Sequence, residues 1–393
     1  MVADGGQGNF AGLGQTMAAV DQVSNGGAVT LFLCGDVMLG RGVDQILPHP
    51  CTPVLYEQHV GSAIEYVRLA EARNGPVPKP VTFDYVWGDA LAVLDRRQPH
   101  CRIINLETAI TTSSAAERKG INYRMNPANI GVLTEANIDA CMLANNHVLD
   151  WGRRGLVETL VSLEEAGIAS VGAGRNLADA TASTVLPVAG NSRVIISAFG
   201  STTSGIPARW SAEDNVPGVN LLPECCETAI YKIRESVRAL KQQGDIAVAS
   251  VHWGGNWGYD ISETQRTIAH RLIDRAAVDV IHGHSSHHPK AIEVYRGKLI
   301  LYGCGDFIND YEGIRGYEEF RSDLTLAYFA RIDARTGALL ELEMIPFRIR
   351  RLRLERADHE DTRLLAKSLD RTSCPFGARV EAHPDDYLRL LWG

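Results

Sequence analysis

Apolar runs that stop on small or polar residues recur along the chain. VTLFLC (29–34) ends at Gly35 and Asp36, ACML (140–143) runs into Asn145, Asn146 and His147, residues 246–251 deliver His252, and residues 278–281 stop at Gly283 before His284. Runs that are apolar at nearly every position predict strands covered on both faces, the mark of a largely parallel α/β sheet. A shorter strand, 102–105, ends in Asn105-Leu-Glu107. Between the strands the spacing turns helical. Leu156, Leu160 and Leu163 precede Gly167, residues 223–243 stop at Gly244, and Ile268, Leu272 and Ala276 share one face. Further helices are expected at 83–94 and 358–370, a hairpin at 184–188 and 194–199, and strands at 324–332 and 339–347. The Arg-rich run 348–356 alternates with apolar residues and predicts a strand with one solvated face.

Two regions break this rhythm. Residues 1–27 are rich in Gly, Ala, Gln and Asn without a sustained period, and are expected to form a flexible tail. Residues 41–80 interrupt the sheet pattern with several prolines around a helix expected at 54–73, an insertion of the kind that forms a lid. The polar strand tips are spread from Asp36 to Asp306, so a cut anywhere between them would divide the site. Residues 28–393 are therefore expected to form one catalytic domain.

The tips carry the chemistry. Asp36, Glu107, Asn146, His147, His252, His284 and His287 each follow a strand. In an open α/β sheet such ends share the edge at which ligands bind. Imidazoles, carboxylates and an amide oxygen together suit a divalent transition metal, or a pair bridged by a carboxylate. Composition narrows the partners. A net charge of −8 shows no nucleic-acid footprint. No run of about 18 apolar residues predicts a membrane span, and the N-terminus lacks the basic and apolar segments of a secretory signal. Eight cysteines without a C-x-x-C pair fit a reducing cytoplasm. The expected partner is a small-molecule or peptide substrate, and Arg41, Arg124 and Arg175 are candidates to hold its anionic group, because a guanidinium grips phosphate or carboxylate at two points.

Five ordered motifs, GDVMLGR (35–41), NLE (105–107), NNHVLDWG (145–152), VHWG (251–254) and GHSSHHP (283–289), resemble the CapA family of capsule-biosynthesis proteins. That family is associated with poly-γ-glutamate and belongs to the calcineurin-like metallophosphoesterase superfamily. The resemblance covers roughly residues 29–310. It implies a four-layer α-β-β-α sandwich with one or two divalent ions, Mn, Zn or Fe, at the strand ends. Carried over, it makes Asp36 a metal ligand, Glu107 the bridging carboxylate, Asn146 a ligand, and His147 the group that protonates a leaving group. His252 and His284 would ligate one metal and His287 the other. Two departures stand out: Met38 occupies the place of a ligating histidine, and an extra residue separates His284 from His287. They imply a metal site that is weak, exchanged or empty on the Asp36 side.

The leading expectation is metal-dependent hydrolysis of a phosphoester or amide, with His147 as general acid near its natural pKa. The alternative is a peptide epimerase in which Asp36 and His284 or His287 exchange a Cα proton as an acid–base pair. A third reading is a non-catalytic role in capsule or polymer assembly.

Overall fold

The computed structural model describes Met1 and residues 27–188, 192–222 and 226–393. The tail expected at 1–27 lies almost wholly outside the described residues, as do the first three positions of the helix expected at 223–243. In chain order the first half builds β1 (Ala28–Val37), α1 (Ile64–Asn74), α2 (Asp89–Arg97), β2 (Cys101–Leu106), β3 (Ala140–Met142), α3 (Gly152–Glu165) and β4 (Ala169–Val171). A central block follows with β5 (Thr184–Pro187), β6 (Arg193–Gly200), α4 (Cys226–Leu240), β7 (Ile246–His252), α5 (Glu263–Ala276), β8 (Val280–His284), β9 (Ile292–Tyr295) and β10 (Lys298–Leu301). The last stretch adds β11 (Asp306–Ile308), β12 (Leu324–Asp333), β13 (Leu339–Arg350), β14 (Arg353–Arg356), α6 (His359–Ser373), β15 (Ala378–Ala382) and β16 (Leu388–Trp392).

The strands form two large sheets. The first has the order β15-β16-β13-β12-β1-β2-β3-β4, with β11 beside β1 and β14 beside β13. The second has the order β9-β10-β8-β7-β6-β5. Strands β1 to β4 run parallel, as do β6, β7, β8 and β10.

Side-chain alternation explains the layering. Leu31 and Leu33 of β1 join Ile103, Met142, Ile196 and Val248 in a buried cluster between the two sheets. Phe32 and Cys34, one position out of phase, pack instead with Val67, Leu94 and Leu156 of α1, α2 and α3. On the far side Ala249 and Ile281 meet Ile233 of α4 and Leu272 of α5. Helices therefore cover the outer face of each sheet, which gives the expected α-β-β-α sandwich. Among the described residues no helix is long and apolar enough to cross a membrane.

Three elements differ from expectation. Helix α1 begins at Ile64 rather than 54, because Pro53 and Gly61 fall in the lead-in. Helix α2 begins at Asp89 rather than 83. Gly88 sets that start, with φ +47 and a backbone so close to β14 that a Cβ would lie 2.1 Å from the Leu354 carbonyl. The Arg-rich run is a hairpin, β13–β14, turning through Arg351 and Leu352, each at φ +56. The Glu312 carboxylate accepts the N–H groups of both turn residues, at 2.8 and 2.6 Å, which offsets the left-handed backbone.

Candidate metal centre

Every expected donor comes to the carboxyl ends of the parallel strands, where the two sheets face each other. Asp36 ends the apolar part of β1 and stands in register with Asp306 of β11. Glycine makes this approach feasible: a Cβ on Gly35 would lie 1.6 Å from the Gly305 carbonyl. Instead the Asp36 N–H donates to that carbonyl at 3.0 Å. On the other sheet His252 and His284 are register partners at the ends of β7 and β8.

The donors form two groups. Asp36, His252 and His284 are one; Asp36, His287 and Asp306 are the other, and within each group the ligand atoms lie within 4.8 Å of one another. Nδ1 of His252 and Nδ1 of His284 are 2.7 Å apart, and His284 Nδ1 is 4.0 Å from Asp36 Oδ1. His287 Nδ1 meets Asp306 Oδ1 at 2.8 Å. The Asn146 amide oxygen faces His252 Nε2 at 3.1 Å. Glu107 Oε1 is 3.8 Å from His252 Nε2 and 3.9 Å from His147 Nε2. Asn105 bridges the two carboxylates, its Nδ2 donating to Asp36 at 2.7 Å and to Glu107 at 2.9 Å. Asp36 is the donor common to both groups.

A divalent cation fits this donor set. Asp36 Oδ2 is buried without a hydrogen-bond partner, and a buried oxygen of that kind is costly unless something pairs with it. Burial and the neighbouring Asp306 push Asp36 up to about 7. Burial, followed by Asp36, raises Glu107. Burial also lowers His252 and His284, keeping their imidazoles neutral and able to ligate. For His287 burial acts downward, yet the Asp306 carboxylate raises its pKa overall. Three imidazole nitrogens and several oxygen donors suit Mn, Zn or Fe.

His147 is placed by a second set of contacts. Its Nδ1 lies 2.7 Å from Asp150 Oδ2, and Lys119 Nζ donates to Asp150 Oδ1 at 2.7 Å and to the Asn146 carbonyl. The Asn145 side chain shapes this loop by accepting from the N–H groups of His147 and Val148. Burial drives His147 down to about 4, which corrects the expectation of a near-natural pKa. With Asp150 accepting from Nδ1, the Nε2 lone pair faces Glu107.

The three arginines expected to hold substrate each have partners of their own. Arg41 is 3% exposed, pairs with Asp310 and Glu57, and lies over the Tyr66 and Tyr123 rings. Arg124 donates to the Ser113 carbonyl and to Thr52 and stacks on Trp151. Arg175 is exposed and pairs with Glu164 of α3, apart from every contact of the donor cluster. Arg41 and Arg124 instead pin the 41–80 segment to the body of the fold.

A cleft of about 1,120 Å³ leads to His287, lined by Arg41, Leu69, Asn256, Trp257 and residues of the 309–323 loop. Helix α1 supplies one of its walls, so the 41–80 segment does border the approach to the site. Sequence reasoning did not assign Asp306, Asp150, Lys119 or Asn105. Asp150 had a readable signal, three residues after His147 in NNHVLD, and Asp306 another, after the glycines of GCGD.

Comparison with known proteins agrees with the motifs. The chain is 48% identical over 369 residues to a Mycobacterium tuberculosis protein named probable polyglutamine synthesis accessory protein, covering 93% of this chain and 97% of that one. It is 29% identical over 297 residues to the Bacillus subtilis PGA biosynthesis protein CapA, covering 75% and 66%. Among solved structures it aligns with a Mycoplasma pneumoniae phosphatase at a TM-score of 0.46 and 12% identity, covering 86% and 96%. The model of the bacterial capsule synthesis proteins matches residues 30–311, well over half of the sequence, and the chain belongs to that family, PGA_cap.

Proposed function

We propose that this protein is a metal-dependent hydrolase of a phosphoester or amide bond. One observation carries the reading: two buried donor groups joined at Asp36, with His287 of the second group in the lining of an open cleft. A bound divalent ion would lower the pKa of water toward neutrality and polarise the oxygen of the scissile bond. Asp36, His252 and His284 would hold one ion, and Asp36, His287 and Asp306 a second, with Glu107 and Asn146 at hand as further donors.

The chain's own acid–base work falls to His147. His147 and His287 are each 7% exposed, against 0% for His252 and 1% for His284, so these two imidazoles face the substrate side. Neutral His147 accepts a proton through Nε2 as the nucleophile forms and returns it to the leaving group. Asp150 steadies the imidazolium through Nδ1, and Lys119 holds Asp150 in place.

The epimerase reading is weaker on geometry. An acid and a base on opposite faces of a Cα each need to stand roughly 3 Å from the proton they exchange. Asp36 Oδ1 and His284 Nδ1 are 4.0 Å apart and enclosed, leaving no room for a carbon between them. The other candidate, His287, has both ring nitrogens engaged, by Asp306 and Asn256. The word accessory in the name of the M. tuberculosis relative fits an assembly role. The two buried donor groups and the Asp150–His147 pair favour catalysis.

The test is to strip the protein with a chelator and assay release of phosphate or amine from phosphodiester and peptide panels, before and after adding Mn or Zn. Release that tracks metal content is expected. Deuterium uptake at a Cα without cleavage would contradict the reading.

A further inference from the structure

We propose that Trp257 and Tyr317 form an aromatic subsite beside His287 that selects substrates bearing an aromatic ring next to the bond that is cleaved. This deepens, and rests on, the hydrolase reading. Trp257 lies on the loop after β7, whose turns at Gly254 and Gly258 have φ of +78 and +98. The loop is tied to the donor cluster at the residue before Trp257. The Asn256 carbonyl accepts the His287 N–H at 2.9 Å, and the Asn256 side chain meets His287 Nε2 at 3.0 Å. The Trp257 ring centroid therefore stands only 5.1 Å from the His287 ring. Tyr317 stacks on Trp257 at 4.1 Å and 5°, and Phe320 sits at 5.3 Å from the same indole.

What needs explaining is exposure. Tyr317 is 46% exposed, and Leu69, Ile121 and Ile314 are between 37% and 41% exposed, yet all four line the cleft that leads to His287. A lone exposed apolar residue is unremarkable, but a group lining one functional cleft marks a ligand surface. Charge indicates the kind of ligand. The lining holds five arginines and six carboxylates, and two of those arginines, Arg321 and Arg348, already pair with Asp323 and Asp361. A polyanion gains little from so balanced a wall. A near-neutral group with an aromatic ring can stack on the Tyr317–Trp257 pair in an offset or edge contact.

An aromatic residue of a peptide and an aryl phosphoester share this chemistry, and two arms separate them. In the first, calorimetry compares N-acetylphenylalaninamide with N-acetylalaninamide; in the second, phenyl phosphate with methyl phosphate. The protein is the metal-loaded full chain, with Tyr317→Ala and Tyr317→Phe alongside. The expected result is that the aromatic probe of one arm binds roughly 10-fold or more tightly than its small counterpart. Tyr317→Ala brings the ratio near one without changing metal content, and Tyr317→Phe retains it. The arm that shows the preference names the substrate class. Equal binding of both probes in both arms, or a preference indifferent to Tyr317→Ala, overturns the subsite. Aromatic preference in binding, with no turnover of any matched ester or amide, leaves the subsite standing and counts against the hydrolase reading instead.

Discussion

His252 and His284 are delivered by adjacent parallel strands, stand in register with each other, and are closed off from solvent. His287 and Asp306 reach the same Asp36 by another route. His287 sits in the loop after β8, and Asp306 opens a three-residue strand brought in by the Gly35–Gly305 approach. The inner group is a product of sheet register, and the pattern of apolar runs announces it. The cleft-facing group depends on loops and on one close backbone contact. It also has Met38 where the resemblance implies a histidine, with the Met38 sulfur taking a contact from the Tyr311 hydroxyl at 3.7 Å. The sequence suggested an emptied site on that side. The structure shows a carboxylate, Asp306, that sequence reasoning had not counted there.

Asp36 is where the difference between the groups vanishes, so its loss should have the largest effect. Asp36→Asn is expected to weaken metal binding at both groups by more than the ~10–100-fold typical of changes outside the ligand set, with activity falling below detection. Retention of two ions per chain would break the comparison. His147→Gln should leave both groups filled while slowing turnover by roughly 10²–10⁴-fold, the usual contribution of a positioned acid–base group. Metal analysis beside kinetics separates the two variants.

Acidification should split the groups. A histidine with a raised pKa takes up its proton at higher pH and stops ligating, whereas a depressed one stays neutral further down. Asp36, shared and raised to about 7, loosens both ions as pH falls. His287, however, is raised while His252 and His284 are lowered and stay neutral, so the cleft-facing ion should leave first and the inner ion later. Metal content measured against pH would show two steps; a single step in which both ions leave together would contradict the assignment. The smallest expected effect is a gain. Met38→His should tighten the cleft-facing ion several-fold by adding a nitrogen donor for the thioether, and should leave the inner ion unchanged.

How far the sequence could be read follows the same divide. The parallel strands were legible because a strand buried on both faces must be apolar throughout, and each ended on the polar residue it positions. Asp36, His252 and His284 came from that logic. Asp306 was harder, since a three-residue strand carries no period of its own. The arginines' own partners were not legible because they are remote in sequence: Arg41 meets Asp310, 269 residues away. A spare cation and a paired one look alike until the chain is folded. The β13–β14 turn was missed for a related reason. Its positive φ falls on Arg351 and Leu352, residues that do not signal a turn, and the Glu312 that supports them lies in another loop.

Two donor groups sharing one carboxylate define the proposed centre, and counting ions tests it most directly. The chelated full chain would be titrated with Mn or Zn and its metal content read by elemental analysis, for the native protein and for Asp306→Asn. Two ions per chain in the native protein and one in the variant, with the inner affinity preserved, is the predicted result. Binding of no ion by the native protein, or an unchanged count in Asp306→Asn, would contradict it.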